Sequence, residues 1–213
     1  MGSETILRVA LLLMFLGYII PRSYYRRKAH RSSPEDQLPL KDTTESKVRL
    51  ALLGVCGLSA DLLSIAWAIN PQWLAWSNLS LPLWLRWLGV LGATGAVWLG
   101  YLAHRSLGPN YTPDLRTKTG HQIVAKGIYA WIRHPMYSSV FVLLASYFLL
   151  TTNWLIGLLG LGYSLLIVER AGHEEQMLIE RFGDEYRAYM QRTGRFVPRR
   201  GRTTADAGDK SPP

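Results

Sequence analysis

The sequence predicts an all-α integral membrane protein with about five transmembrane helices, including a helical hairpin, and a cytosolic C-terminal helical cover. Two observations predict this class. Hydrophobic residues make up 48% of the 213-residue chain. Of its 24 lysines and arginines, 22 fall in three stretches, 21–49, 104–135 and 169–213. The sequence between these stretches is almost free of charge, which is typical of lipid-facing segments.

The first predicted element is an N-terminal span. Residues 5–20 form an apolar run before Pro21, and a basic cluster follows. A cleaved signal peptide is the alternative, but no small-x-small cleavage site precedes the polar region, so a retained anchor over 1–31 is favoured. Residues 32–49 are polar, contain two prolines, and are interpreted as a linker.

Two further spans are predicted over roughly 50–69 and 82–103. The connection between them carries no charge and is rich in tryptophan, as expected at a membrane interface. Within the later span, Gly92, Ala96 and Gly100 recur at four-residue spacing. Small residues at that spacing predict a face for close packing against another helix.

Two side chains inside these spans, Cys56 and Asp61, have chemically reactive or ionisable groups. Cys56 is the single cysteine, so an intramolecular disulfide and a Cys-based zinc site are excluded, and no metal is expected. Asp61 is an intramembrane carboxylate, which is functional by default. Pairing with a hydroxyl or an arginine of a neighbouring span explains Asp61 equally well, so its role stays open.

The hairpin is predicted from residues 136–168, which contain no charged side chain. A single helix of that length would measure about 50 Å, whereas a bilayer core is about 30 Å thick. The polar triplet Thr151-Thr152-Asn153 at its middle predicts the turn. Each arm would have only about 15 residues, which implies a non-helical segment at membrane depth at the inner end.

The positive-inside rule predicts the orientation. The three basic stretches are placed in the cytosol, so the uncharged connection 70–81 and the Thr-Thr-Asn turn lie outside. The N-terminus is then outside and the C-terminus is cytosolic.

The first candidate chemical motif lies before the hairpin. Gly127-Ile128-Tyr129 is predicted to break the chain, and Pro135 suits the first turn of a helix because it has no amide hydrogen to satisfy. His134 and Tyr137 would then stand at the helix entrance beside Arg133. In isolation these residues are also ordinary at a membrane interface, where arginine and tyrosine are common.

The second motif follows the hairpin. Arg170 and Glu174 would share a helix face, one turn apart. The alternative to a functional role is that the two form an ordinary surface salt bridge. An apolar stripe follows and predicts a helix that packs back on the membrane domain. Gly183-Asp184 predicts a helix stop and a new N-cap, and 201–213 is interpreted as a disordered tail. The stripe consists of Leu178, Phe182, Tyr186 and Tyr189.

A family resemblance rests on three segments that occur in order: GHQIVAKGIYAWIRHPMY, the apolar hairpin, and ERAGHEEQMLIERFGDEYRAYM. Together they resemble isoprenylcysteine carboxyl methyltransferase and its wider family of membrane methyltransferases. The likeness covers roughly 85–200. It implies a membrane methyltransferase core over 50–200 and S-adenosylmethionine (SAM) as the methyl donor, bound without a Rossmann domain. No counterpart in the family is assigned to the N-terminal span and linker. Ser138 and Ser139 stand where the family often has a small residue such as glycine, which is a mild departure.

The resemblance also implies the site residues. The family's substrate-contacting and catalytic arginine falls on Arg170. A prenylated cysteine or similar lipidic carboxylate is the implied acceptor, met at a site that faces the cytosol. Membrane lipids are expected partners, and nucleic acid is not. The cofactor contacts fall on His121, Gln122, Ile123, Val124, Tyr129, His134, Pro135, Met136, Tyr137 and Glu174.

Three functional interpretations stay open. The favoured one is carboxyl O-methylation of a prenylated cysteine or similar acid. The second is methylation of a phospholipid amine or a small thiol, for which Arg170 would be less useful and a proton acceptor would be needed. The third is a nicotinamide-dependent membrane reductase or a non-catalytic scaffold. A reductase would need a basic pocket for phosphates, and a scaffold would not need the polar motifs to converge.

Overall fold

The structure is a computed structural model that describes residues 2–31, 37–39, 47–107, 116–118 and 123–199. Six α-helices follow one another along the described chain: α1 Ser3–Arg31, α2 Lys47–Ile69, α3 Leu83–Leu107, α4 Pro135–Thr151, α5 Trp154–Phe182 and α6 Asp184–Arg192. Two three-residue strands, β1 Gln37–Pro39 and β2 Arg116–Lys118, pair antiparallel. The predicted tail 201–213 and most of the predicted linker lie outside the described residues.

Three of the helices are long and apolar enough to cross a membrane, over Ser3–Lys28, Val48–Ile69 and Trp154–Phe182. Pro135–Thr151 is a shorter apolar helix. The prediction of a helical membrane fold is therefore confirmed. The count of five crossings and the division of the chain into anchor, linker, core and tail stay predictions.

The predicted hairpin is confirmed, with one arm longer than expected. Its turn is formed by Thr151, Thr152 and Asn153, and Thr152 adopts a left-handed conformation with φ 51°. The Asn153 side chain accepts a hydrogen bond from the Ile156 amide and so caps α5. α4 has 17 residues, but α5 has 29, because its helix continues through the charged segment after the apolar run.

One predicted boundary needs correction, and another agrees with the structure. α1 covers almost all of the predicted anchor 1–31 and continues through Pro21; membrane helices tolerate such a residue because neighbouring groups satisfy the freed carbonyl. The stop after α5 is confirmed at Gly183, whose φ is 55°. However, Gly183 also precedes α6 as its cap, whereas the sequence predicted Asp184 in that position.

Close packing of α3 on α4 organises the bundle. A Cβ at Gly89 would lie 2.9 Å from both the Leu150 amide nitrogen and the Ser146 carbonyl oxygen. At Gly92 it would lie 2.5 Å from the Ser146 hydroxyl. The predicted small-residue face of α3 is therefore confirmed. The buried apolar core includes Leu7, Leu11, Trp67, Ala93, Ala96, Leu143, Tyr147, Leu150 and Ile156.

The bundle has two distinct polar ends. The hairpin end contains the Thr151–Asn153 turn, the connection 70–82 and the first turns of α1 and α3; there the Leu79 amide donates to the Thr152 carbonyl at 2.7 Å. The site end contains residues 131–137, the second half of α5 and α6. Asp61 is partly buried in α2 between the two ends and interacts electrostatically with Arg22 of α1.

Candidate active site

A short 3-10 helix, Gly127–Ala130, leads into the site. Gly127 has a φ of 61°, and a Cβ there would lie 2.6 Å from the Ser106 hydroxyl oxygen of α3. Both the conformation and the space therefore require glycine, and the predicted break at Gly127-Ile128-Tyr129 is confirmed. Tyr129 is buried, and its carbonyl accepts a 2.7 Å hydrogen bond from the Tyr189 hydroxyl of α6.

The entry to α4 follows directly. Pro135 is the first residue of the helix, as predicted, and its side chain is fully buried. His134 precedes the helix, is only 6% exposed, and accepts a hydrogen bond on its carbonyl from the Ser138 amide at 3.0 Å. The Met136 carbonyl accepts from the Ser139 hydroxyl at 2.7 Å. The first turn of α4 is therefore held by its own backbone and serine side chains.

Four of the predicted site residues converge around Tyr137. Its hydroxyl donates to Glu174 Oε2 at 3.0 Å, and it also hydrogen-bonds the Arg170 side chain. The His134 ring stacks on the Tyr137 ring, with centroids 5.4 Å apart and planes 9° apart. His134 Nδ1 lies 3.7 Å from Glu174 Oε2. Arg170 and Glu174 thus share a face of α5, as predicted, and the phenol of Tyr137 joins them.

A second carboxylate, Glu175, lies behind this group. Its Oε1 accepts from Arg133 Nε at 3.0 Å and faces His134 Nε2 at 3.2 Å. Its Oε2 forms an ion pair with Arg195 Nε at 3.2 Å. The side chain of Glu175 is 10% exposed, whereas that of Glu174 is 31% exposed. One carboxylate is therefore enclosed by cations, and the other remains accessible.

Two tyrosines of α6 cover this cluster. Burial raises the pKa of Tyr186 well above its usual range, and the carboxylates of Glu175 and Glu174 raise it further, while Arg133 opposes them. Burial also raises the pKa of Tyr189 to about 12. Both phenols therefore stay neutral at physiological pH. The predicted packing of α6 against the membrane domain is confirmed, since both rings are buried.

The remaining predicted cofactor contacts are placed less completely. His121 and Gln122 lie outside the described residues. Ile123 and Val124 are half-buried in the non-helical segment before Gly127. Together with Tyr129, they precede the His134–Tyr137 turn along the chain, so the ordered motif that the sequence showed leads into the cluster.

Sequence reasoning missed the enclosing shell of Glu175, Arg133 and Arg195. The adjacent acids Glu174 and Glu175 were a usable signal, because two neighbouring carboxylates on one helix need separate partners. Arg133 was part of the predicted motif, but the sequence predicted no partner for it. No pattern links Arg195 to Glu175, because their contact depends on the turn at Gly183.

The cluster suits a nucleoside-type cofactor. An accessible carboxylate such as Glu174 can accept hydrogen bonds from ribose hydroxyls or an amino group. The aromatic ring of Tyr137 offers a face for an adenine or a cation. The residues present are therefore chemically compatible with a cofactor of this type.

Comparisons with known proteins agree with this site. A model of the isoprenylcysteine carboxyl methyltransferase (ICMT) family matches residues 90–180. The resemblance to the isoprenylcysteine carboxyl methyltransferase family is confirmed. The match runs from α3 through most of α5, so it contains His134, Tyr137, Arg170 and Glu174.

Individual relatives carry the same name. Human protein-S-isoprenylcysteine O-methyltransferase is 29% identical over 131 residues, which cover 58% of this chain and 44% of the human protein. Protein-S-isoprenylcysteine O-methyltransferase of Tribolium castaneum is 31% identical over 90 residues, 42% of this chain and 32% of that protein. These alignments span less than half the length of the relatives.

A solved structure shares the fold. The eukaryotic intramembrane Ras methyltransferase ICMT superposes with a TM-score of 0.52 at 20% sequence identity. The superposition covers 89% of this chain and 67% of the other. It therefore extends the likeness beyond residues 90–180 to most of the helical bundle.

Proposed function

We propose that this protein is a SAM-dependent methyltransferase that methylates the carboxylate of a prenylated cysteine or a similar lipidic acid. The observation that carries the proposal is the junction at Tyr137, which joins a cation, Arg170, to an accessible carboxylate, Glu174. Similarity to the isoprenylcysteine carboxyl methyltransferase family over 90–180 supports the reaction class.

The cofactor would be held by residues before and within α4 and by Glu174. We assign this role to His121, Gln122, Ile123, Val124, Tyr129, the turn His134–Tyr137 and Glu174. When bound, SAM supplies a methyl group activated by its sulfonium. The chain's task is then to orient the donor, exclude water and keep Glu174 accessible, while Arg133 and Arg195 hold Glu175 behind it.

The acceptor carboxylate is already ionised at neutral pH and needs no general base. Because the acceptor oxygen would take the methyl group directly from the bound donor, no side chain of this protein would have to accept or donate a proton. Catalysis is therefore mostly positioning. Arg170 is assigned to this carboxylate because a planar guanidinium can bind both of its oxygens.

Placement in the membrane follows from charge. We propose that the site end faces the cytosol, with the N-terminus outside and the C-terminus cytosolic. The positive-inside rule supports this orientation, because 22 of the 24 basic residues lie in the stretches 21–49, 104–135 and 169–213. A lipidic acceptor then enters sideways from the bilayer while its carboxylate reaches Arg170. Membrane lipids are the expected surroundings of the apolar helices.

The first test is SAM binding by calorimetry on detergent-purified protein. We expect wild type to bind SAM. In Glu174→Ala the dissociation constant for SAM should rise by about a hundredfold or more, since a charged hydrogen-bond acceptor is removed. Glu180→Ala is the matched control, because Glu180 is an exposed glutamate on the same helix. Folded wild type that binds no SAM would contradict the proposal.

The acceptor is tested separately with a labelled methyl donor. We expect transfer to farnesylcysteine with a free carboxylate and none to the same compound as its carboxamide. SAM binding without transfer to any prenylated acid, but with transfer to a lipid amine or a thiol, would preserve the methyltransferase class and overturn the carboxylate acceptor.

A further inference from the structure

The C-terminal segment 193–197, called the strap here, lies alongside the entry to α4. The Arg133 amide donates to the Gly194 carbonyl at 2.8 Å, and the His134 amide donates to the Arg195 carbonyl at 3.0 Å. In return, the Gly194 amide donates to the Trp131 carbonyl at 3.0 Å. The backbone on both sides of the His134 ring is therefore fixed by a segment some 60 residues further along the chain.

The strap is a built element. A Cβ at Gly194 would lie 1.8 Å from the Val197 carbonyl oxygen, so the turn can be made only with glycine at this position. The Phe196 carbonyl accepts from the Ser138 hydroxyl at 2.6 Å. Thr193 is buried, and its carbonyl and that of Met190 accept from Arg133 Nη1. Contacts from three directions thus hold the strap against α4.

Two strap side chains reach the site through other residues. The Arg195 guanidinium pairs with Glu175 Oε2, opposite the oxygen that faces Arg133 and His134. The Phe196 ring lies 5.9 Å from the His134 ring and 5.1 Å from the Phe141 ring, measured between centroids. His134 is consequently packed between Tyr137 and Phe196.

The charges explain why this packing matters. Glu175 is nearly enclosed, and an enclosed carboxylate needs its cations. Carboxylates face both ring nitrogens of His134, with Glu174 Oε2 3.7 Å from Nδ1 and Glu175 Oε1 3.2 Å from Nε2. With Arg195 removed, Glu175 would draw more strongly on His134 and Arg133, and the ring that stacks on Tyr137 would turn.

We propose that Arg195 and Phe196 are positioning residues of the methyltransferase site, acting through Glu175 and His134. This inference rests on the proposed function and extends the site past residue 180, where the family match ends. The strap therefore sets the orientation of the groups that hold SAM without touching it.

The test compares Arg195→Ala, Arg195→Lys and Phe196→Ala with wild type. Arg199→Ala is the control, because Arg199 is exposed and lies just beyond the strap. Hydrogen exchange of residues 131–138 reports the orientation of the α4 entry without any ligand. Calorimetry with SAM and the kinetic constants for SAM and farnesylcysteine report the site.

We expect Arg195→Ala and Phe196→Ala to speed exchange at residues 133 and 134. Their kcat/KM for SAM should fall by about ten- to a hundredfold, the scale associated with misplacing a group by about 1 Å. KM for farnesylcysteine should stay near the wild-type value. The exchange rate and kcat/KM of Arg195→Lys should lie between those of wild type and Arg195→Ala, because lysine keeps the charge but lacks the planar guanidinium. Arg199→Ala should match wild type.

Two results would overturn the inference while leaving the proposed function intact. One is unchanged exchange at residues 131–138 in both alanine variants. The other is faster exchange with SAM binding and kcat/KM at wild-type values, which would make the strap a purely structural brace. Folded wild type that binds no SAM overturns the proposed function and the positioning role together.

Discussion

The two polar ends of the bundle use arginines in different ways. At the hairpin end, Arg8 donates to the Ala68 and Ile69 carbonyls at the end of α2. Arg86 donates to the Leu150 carbonyl at the end of α4 and to the Glu4 carboxylate. Cations at helix C-termini complement the helix dipole and the unpaired carbonyls there. These arginines join helix ends.

At the site end, the arginines act mainly on carboxylates. Arg133 and Arg195 enclose Glu175, which leaves Glu174 31% exposed beside Tyr137. A cavity of about 520 Å³ does lie at the hairpin end, lined by Arg8, Arg86 and polar side chains. Its arginines are already bound to backbone oxygens, however. The candidate site is therefore inferred from an accessible carboxylate within an ordered cluster, and not from the volume of this cavity.

The largest expected effect that sharpens this comparison is at Arg170. Arg170→Ala should lower kcat/KM for farnesylcysteine by about a hundredfold, because the acceptor carboxylate loses its cation. Methyl-transfer assays and a melting curve check this together. Arg181→Ala, eleven residues further along α5 and close to the turn at Gly183, is the control. Unchanged turnover and KM in folded Arg170→Ala would remove its substrate role.

A moderate effect on stability alone is expected at the hairpin end. Arg86→Ala should lower the free energy of unfolding by about 2 kcal/mol, because it breaks the Leu150 cap and the pair with half-exposed Glu4. Thermal unfolding in detergent measures it. Methyl transfer per folded molecule should not change, and a folded variant that loses activity would break the distinction between the two ends.

The smallest effect is expected at Tyr189. Tyr189→Phe removes the hydrogen bond to the Tyr129 carbonyl and should cost about 1–2 kcal/mol of unfolding free energy. Burial raises the Tyr189 pKa to about 12 from 10.0, so folding favours the neutral phenol. The stabilisation that comes from the raised Tyr189 pKa is complete below pH 10 and is lost as pH rises towards 12. The stability difference between wild type and variant should shrink over that interval.

Much of the helical framework could be predicted from the sequence, because long apolar runs and a charge-free interval reflect local requirements of the bilayer. The Thr-Thr-Asn turn and the break at Gly127 followed from residue types with strong backbone preferences. The anchor over 1–31 was predicted, but the way α1 accommodates Pro21 was not, since that depends on neighbouring groups that satisfy the freed carbonyl.

The residues of the candidate site could also be predicted in part, like the helices of the framework. His134, Tyr137, Arg170 and Glu174 could be named because their motifs occur in a fixed order, and the structure brings them together. The contact between Arg195 and Glu175 has no local signature, because it forms only after α6 folds back. Sequence patterns therefore identified the accessible half of the cluster and missed the half that encloses it.

The glycines of α3 have a mechanical consequence. At Gly89 the backbones of α3 and α4 almost touch, so the two helices pack there without room for a side chain. α4 is about 25 Å long, with its 17 residues. A bulkier side chain at Gly89 would separate the helices near the Thr151 turn and would tilt the opposite end of α4, which carries His134 and Tyr137. A substitution in α3 would thus disturb the candidate site over the full length of α4.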